Sequence, residues 1–254
     1  MKKLLSKDGR TIAYSVHGEG PEVLVLVHGW MASSAVFDRF LPHLDASRFR
    51  IIVVDHRGAG ASSPCASYTI NDYVEDLKAV LDHADVSSVD LLGHSMGGLI
   101  SQVFAARYPE RIKKLALVCA VPATGMELPP EAHDLFLSAG QNREKLAAIL
   151  GMATLELSED AAEVMLDDAM TIPAECIKAS YLAWTGGGFE DELASIQAPT
   201  LVVGTDDPFL PPDFLKAVMV EPIANASFAY LPGPGHYPQV ERSAELAAII
   251  NAFF

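Results

Sequence analysis

A serine between two glycines stands at the centre of Asp90-Leu91-Leu92-Gly93-His94-Ser95-Met96-Gly97-Gly98-Leu99-Ile100. A serine hydroxyl is a poor nucleophile at neutral pH. It becomes a useful one beside a base that takes its proton, and the base in turn needs an acid to orient it. The setting of Ser95 suits that chemistry. The apolar run Val89 to Leu92 predicts a strand, and Leu99, Ile100, Val103 and Phe104 predict one face of a helix. Gly93-His94-Ser95-Met96-Gly97 is then a strand–turn–helix corner of the G-x-S-x-G kind. Strand and helix nearly touch at such a corner, so the positions two residues to either side of the serine, Gly93 and Gly97, must lack side chains. The turn lifts the Ser95 oxygen off the sheet, and the helix N-terminus directs its free N–H groups at the same spot. A glycine-rich turn with an incidental serine would show the same five residues, so the partners decide.

Two partners stand where they are needed. Thr200-Leu201-Val202-Val203 predicts a strand that ends at Gly204-Thr205-Asp206-Asp207-Pro208. Ser227 to Leu231 predicts another, ending at Pro232-Gly233-Pro234-Gly235-His236. Loops at the carboxyl ends of parallel strands converge on one crevice. Ser95, Asp207 and His236 each follow a predicted strand. Taken alone, His236 also reads as a surface turn residue. Asp206 rivals Asp207, and the Gly-x-x-Asp spacing favours Asp207. Glu127 is a weaker rival.

The elements that must carry these residues are legible in outline. Lys2 to Ser6 and Thr11 to His17 predict a hairpin turning at Asp8-Gly9. Val23 to Val27 and Ile51 to Val54 are continuous β-branched and aliphatic runs, suited to strands buried on both faces. Ser33 or Ser34 is expected to cap a helix reaching about Leu44. Thr69 to Asp72 resembles a capping box, with Val74, Leu77, Val80, Leu81 and Ala84 following at helical spacing. The elbow helix stops at Tyr108-Pro109, and Leu115 to Cys119 predicts the next strand. This alternation implies a mostly parallel sheet of about eight strands with helices on both faces. The rhythm changes after Val121. Glu131–Ser138, Arg143–Leu150, Ser158–Met170 and Ala174–Trp184 are expected helices with no strand among them. Residues 122–195 therefore read as a helical insertion in a core of residues 1–121 and 196–254. Ala244 to Phe254 predicts a closing helix.

Taken together, the motifs resemble the α/β-hydrolase family, in its lidded esterase- and lactonase-like branch, over essentially the full length. The resemblance rests on His28-Gly29-Trp30, Asp55-x-Arg57-Gly58-x-Gly60-x-Ser62, Gly93-His94-Ser95-Met96-Gly97-Gly98, Gly204-x-x-Asp207-Pro208 and Gly235-His236. It implies Ser95 as nucleophile, Asp207 as acid, His236 as base, and an oxyanion hole from the backbone N–H groups of Trp30 and Met96. It implies cleavage of carboxylic esters or lactones through an acyl-enzyme. The same triad also serves carbon–carbon hydrolases, thioesterases, amidases and cofactor-free perhydrolases, and a retained fold can serve as a ligand receptor. An apolar pocket between insertion and sheet is expected from Trp30 and Met31, Phe136, Met152 and Trp184, and Phe209 and Tyr237, with Cys119 and Met165 nearby. Trp30 fits core packing equally well. Little polar lining suggests a small, partly apolar substrate. His28 and His94 are expected to shape turns, and Asp55 and Arg57 to tie loops.

Composition narrows the remaining classes. The chain has 254 residues, half of them hydrophobic, enough for one large domain. Its net charge of −15, from 18 Lys+Arg against 33 Asp+Glu, argues against nucleic acid and anionic membrane surfaces as partners. Three widely spaced cysteines, Cys65, Cys119 and Cys176, suggest neither a disulfide framework nor a zinc site and fit reduced thiols in the cytoplasm. Ser6-Lys7-Asp8-Gly9-Arg10 interrupts the apolar start, so no signal-peptide core is expected. No H-E-x-x-H, dinucleotide fingerprint or P-loop occurs, and neither metal nor cofactor is expected. The sequence is silent on oligomeric state.

Overall fold

The strands arise where the aliphatic runs do. The computed structural model describes residues 2–7 and 10–254. Eight strands form one sheet: β1 (Lys2–Lys7), β2 (Arg10–His17), β3 (Glu22–Val27), β4 (Phe49–Val54), β5 (Val89–His94), β6 (Ile112–Val118), β7 (Thr200–Gly204) and β8 (Ala226–Tyr230). Their spatial order is β1-β2-β4-β3-β5-β6-β7-β8. The β1–β2 and β2–β4 pairs are antiparallel, and every pair from β4 to β8 is parallel. The expected Asp8-Gly9 turn falls outside the described residues. The central strands β3, β5 and β7 are buried almost throughout, as a sheet covered on both faces requires.

Helices follow the sequence pattern closely. α1 (Ile70–His83) starts at a complete capping box: Thr69 accepts from the Asp72 N–H, and the Asp72 carboxylate accepts from the Thr69 N–H. α2 (Met96–Arg107) follows the elbow and is buried on all sides from Met96 to Ala106. Between β6 and β7 the chain forms α3 (Pro130–Leu137), α4 (Arg143–Ala153), α5 (Glu159–Thr171) and α6 (Ala174–Gly186), with no strand among them. Short α7 (Pro212–Leu215) and α8 (Pro238–Glu241) precede the closing α9 (Ser243–Phe253).

One expected helix does not form. The segment after Ser33 makes two separate 3-10 turns, Ser34–Phe37 and Leu41–His43. Ser33 does cap the first, accepting from the Ala35 N–H, but Pro42 has no N–H to carry a longer ladder.

Register explains why distant residues meet. His94 pairs with Val118, Val118 with Val203, and Val203 with Ala229, so one row crosses β5, β6, β7 and β8. The loops bearing Ser95, Asp207 and His236 leave the sheet just beyond that row, on one edge. β5 and β7 are two strands apart, a gap of about 10 Å. The loops after β7 and β8 must therefore reach inward across the sheet edge.

Candidate active site

The elbow holds Ser95 by close packing. Its φ of +55° and ψ of −123° lie where a non-glycine residue is rarely found. The turn persists because its surroundings leave no alternative. A Cβ on Gly93 would sit 2.4 Å from the Gly97 carbonyl oxygen, and one on Gly97 would sit 2.3 Å from that of Val27. Ser95 is further fixed by its N–H donating to Val118 O (3.1 Å) and its carbonyl accepting from the Gly98 N–H (2.8 Å).

The structure brings Ser95, His236 and Asp207 into one hydrogen-bonded chain. The Ser95 hydroxyl donates to His236 Nε2 at 2.8 Å, and His236 Nδ1–H donates to Asp207 Oδ2 at 2.6 Å. A carboxylate only accepts, which places the ring proton on Nδ1 and leaves Nε2 free to take the serine's proton. All three residues are buried. The other Asp207 oxygen accepts from the Phe209 N–H (2.9 Å), so Asp207 faces inward with both oxygens engaged. Asp206 turns outward, accepting from the Tyr230 hydroxyl and the Gly233 N–H. Glu127 is exposed.

The His236 loop is fastened from outside the chain of three. The Glu241 carboxylate accepts four backbone N–H groups: Leu155 (2.9 Å), Glu156 (2.8 Å), Gly235 (3.1 Å) and Tyr237 (3.2 Å). His236 N–H donates to Ala153 O at 2.7 Å. The end of α4 and the turn after it are thus sewn to the loop that carries the imidazole. No motif pointed to Glu241, because a carboxylate that serves backbone groups has no sequence pattern of its own.

The loop after β3 closes the other side. Met96 opens α2, so its N–H lacks an intrahelical partner. A Cβ on Gly29 would lie 3.2 Å from Ser95 Oγ, which puts the Gly29–Trp30 backbone against the serine. His28 shapes this turn: its Nδ1–H donates to Gly29 O (2.8 Å), and Nε2 accepts the His56 N–H (3.0 Å). His94 packs beside the elbow, donating from Nε2 to His236 O at 2.7 Å. Burial holds the pKa of His28 below the ordinary imidazole value, and those of His56 and His94 well below it. Asp55 ties loops as expected, accepting from the Ser34 and Ala61 N–H groups. Arg57 pairs with Asp76 and Asp72.

A cavity opens at Ser95 and His236, with about 460 Å³ of free space including its mouth. Of the expected lining residues, Trp30, Met31, Phe136, Trp184, Phe209 and Tyr237 border it. Trp30 stacks on Phe136 (centroids 5.3 Å apart, planes 5° apart), and its indole N–H donates to Ile177 O on α6 at 2.8 Å. It therefore both lines the cavity and anchors the inserted helices. Met152 does not line it. It is 41% exposed, because Ile149 and Ala153, four apart on α4, take the inward face instead. Cys119 lies apart, its thiol 3.4 Å from Thr205 Oγ1, and burial raises its pKa well above the usual thiol value. Met165 borders a different cavity. The sequence reading missed Val121, Met126, Ile149, Ala153 and Leu210 as lining residues. Ile149 and Ala153 were within reach of helical spacing; the others sit in turns with no period to read. Among the described residues no lysine or arginine borders the cavity.

Comparison with known proteins agrees with this architecture. A family model described as the alpha/beta hydrolase fold matches residues 22–243. The 2-hydroxy-6-oxononadienedioate/2-hydroxy-6-oxononatrienedioate hydrolase of Paraburkholderia phymatum is 30% identical, over 95% of this chain and 90% of that protein. The non-heme haloperoxidase of Rhodococcus erythropolis is 28% identical, over 93% of each. A bromoperoxidase from Bacillus anthracis superposes with a TM-score of 0.92 at 24% identity, covering 100% of this chain and 99% of that one. The chain belongs to the α/β-hydrolase family. Within it, the chain is an enzyme of the hydrolase class. Among the described residues no helix is long and apolar enough to cross a membrane.

Proposed function

We propose that this enzyme is a serine hydrolase that cleaves carboxylic esters or lactones of small, uncharged, largely apolar acids. The observation that carries the reading is the pair of short hydrogen bonds, Ser95 to His236 and His236 to Asp207, at a cavity that no lysine or arginine among the described residues borders. Ser95 Oγ attacks the substrate carbonyl carbon as its proton passes to His236 Nε2. Asp207 holds the imidazolium that results. The Trp30 and Met96 N–H groups receive the charge that develops on the carbonyl oxygen, each worth about 3–4 kcal/mol in such sites. Collapse of the tetrahedral intermediate breaks the carbon–oxygen bond, and His236 delivers its proton to the departing alkoxide. Water then attacks the acyl-Ser95 ester by the same steps, releasing the acid.

A carbon–carbon hydrolase reading uses the same three residues. The Paraburkholderia relative is named for a dioate, a substrate class with two carboxylates. Among the described residues the cavity offers such a dianion no lysine or arginine, and transfer of an unpaired carboxylate into an apolar site is costly. Perhydrolysis, suggested by the haloperoxidase name, proceeds through the same acyl-Ser95 with peroxide in place of water and is a second use of one site. Residues 122–195 act in this reading as a lid, supplying Phe136 and Trp184 to the cavity wall. Free Cys65, Cys119 and Cys176 support a reducing, cytoplasmic setting, with a small molecule as the partner.

The test is Ser95→Ala against a panel of activated esters, lactones, thioesters and vinylogous diketones. Ester or lactone turnover is expected in the parent, with kcat reduced about 10⁶-fold in the variant and an unchanged circular-dichroism spectrum. Undiminished ester hydrolysis by Ser95→Ala would refute the reading.

A further inference from the structure

A second, largely apolar cavity bordered by the inserted helices lies beside the one at Ser95. It lies between the turn after β3 and α5, walled by Met31, Val36, Ala161, Val164, Met165 and Val240, and holds about 610 Å³ of free space including its opening. Its charged lining residues are Asp38, Arg39 and Asp168; Arg39 is paired with Asp160, and the Asp168 carboxylate is engaged by the Ser33 N–H and hydroxyl, both at 2.7 Å, which leaves the remaining wall apolar. Met31 borders both this chamber and the cavity at Ser95. Val240 stands four residues beyond His236, in the same stretch that carries the imidazole. The two cavities are thus neighbours across one side chain.

That side chain suits a divider. Methionine is unbranched, with three rotatable bonds and a polarizable sulfur, and fits variable apolar surroundings. Its backbone is fixed at φ +51°, so the freedom lies in the side chain and not in the chain. Val164, which borders the chamber, is 62% exposed, an apolar residue left open to solvent.

We infer that the chamber under α5 is a second substrate subsite, which takes an unbranched alkyl tail whose ester or lactone group lies at Ser95, with Met31 as the divider the tail passes. The inference rests on the hydrolase reading and extends it, from small apolar acids to substrates carrying a medium-length chain. Each methylene buried there should raise kcat/KM about fourfold.

The experiment compares the parent with Ala161→Phe, which fills the chamber, and with Val164→Glu, which places a charge at its exposed border. Neither residue borders the cavity at Ser95. Two substrate series separate the ends of the molecule: p-nitrophenyl acetate to decanoate, and methyl to octyl acetate. In one series the parent should prefer long chains, and both variants should lose that preference tenfold or more through KM, with acetate turnover held within twofold. Binding of 1-decanol by Ser95→Ala protein, followed as a rise in Tm, should disappear when Ala161→Phe is added. Long-to-short ratios equal in all three proteins, in both series, would overturn the subsite and leave the hydrolase reading standing. No ester turnover, with a decanol shift that depends on Ala161, would overturn the ester reading and leave the subsite standing. A decanol shift indifferent to Ala161→Phe counts against the subsite whatever the kinetics.

Discussion

The sheet and the inserted helices hold the site by different means. The sheet side is fixed by backbone. Ser95 sits in a turn whose neighbours would clash with any added Cβ, and the row from β5 to β8 sets where three loops depart. The inserted helices are held by side chains, through apolar packing of residues such as Phe136, Ile149, Ile177 and Trp184 into the common core and through polar stitches such as Ser33 to Asp168, Trp30 to Ile177, and Glu241 to the turn after α4. Their outer surface differs too. Of the large hydrophobic residues exposed among the described residues, Met152, Leu155, Val164 and Leu182 lie in the insertion and only Tyr230 lies elsewhere. A backbone-fixed side suits chemistry that tolerates little displacement. A side held through side chains suits the choice of substrate. The comparison predicts that changes on the sheet side alter the rate of chemistry, while changes in the insertion alter which molecule is accepted.

After loss of Ser95 itself, the largest expected effect sits at adjacent residues on the sheet side. Asp207→Asn keeps the shape of the loop but removes the charge that holds the Nδ1 proton, so His236 is left with the wrong tautomer facing Ser95. We expect kcat to fall about 10⁴-fold. Asp206→Asn, one position away, changes a group that faces Tyr230 and solvent. Surface changes of that kind are worth about 0.5 kcal/mol or less, and kcat should stay within about twofold. Equal losses in the two variants would break the assignment.

The next effect tests the seam between the two regions. Glu241→Ala removes the common acceptor of four N–H groups and frees the His236 loop from α4. A displacement of about 1 Å costs up to 10²-fold in rate, so kcat should drop about ten- to a hundredfold with KM little changed. Glu241→Gln keeps one accepting oxygen and should recover part of the rate. A fall in stability with kcat intact would make Glu241 a structural clamp and nothing more.

Much of this arrangement was legible in the sequence, and the failures have physical causes. Ser95 and Asp207 each follow an aliphatic run at a turn, which is local information; His236 follows Ser227-Phe228-Ala229-Tyr230-Leu231, its own turn reads equally as surface, and the family resemblance singled it out. The choice of Asp207 over Asp206 rested on spacing alone; the structure adds that Tyr230 and Gly233 draw Asp206 away. The inserted helices fell within a few residues of their expected bounds, because helical spacing is also local. The segment from Ser33 to Leu44 failed although Ser33 makes its cap, since Pro42 has no N–H to carry the ladder on. Met152 failed for another reason. A short amphipathic helix does not declare which of two adjacent faces a distant partner covers. Glu241 and the Met31 divider depend on contacts between remote parts of the chain, which periodicity does not encode.

The smallest effect concerns acid. His28, His56 and His94 are buried on the sheet side, and burial holds the pKa of each below its ordinary 6.5. The only histidine of the insertion, His133, is partly exposed. A base whose folded pKa is depressed contributes stability that is fully present above the unfolded value. As pH falls below about 6.5, the unfolded chain takes up protons that the folded chain refuses. Stability should therefore hold steady from pH 8 to 7 and decline from pH 6.5 to 5, at up to about 1.4 kcal/mol per pH unit for each such histidine. His94→Gln can keep a donor toward His236 O without a titrating ring, and should flatten the decline by about one histidine's share. Urea midpoints measured across that range decide it. A slope identical in parent and variant would show that the sheet side does not lose stability through His94.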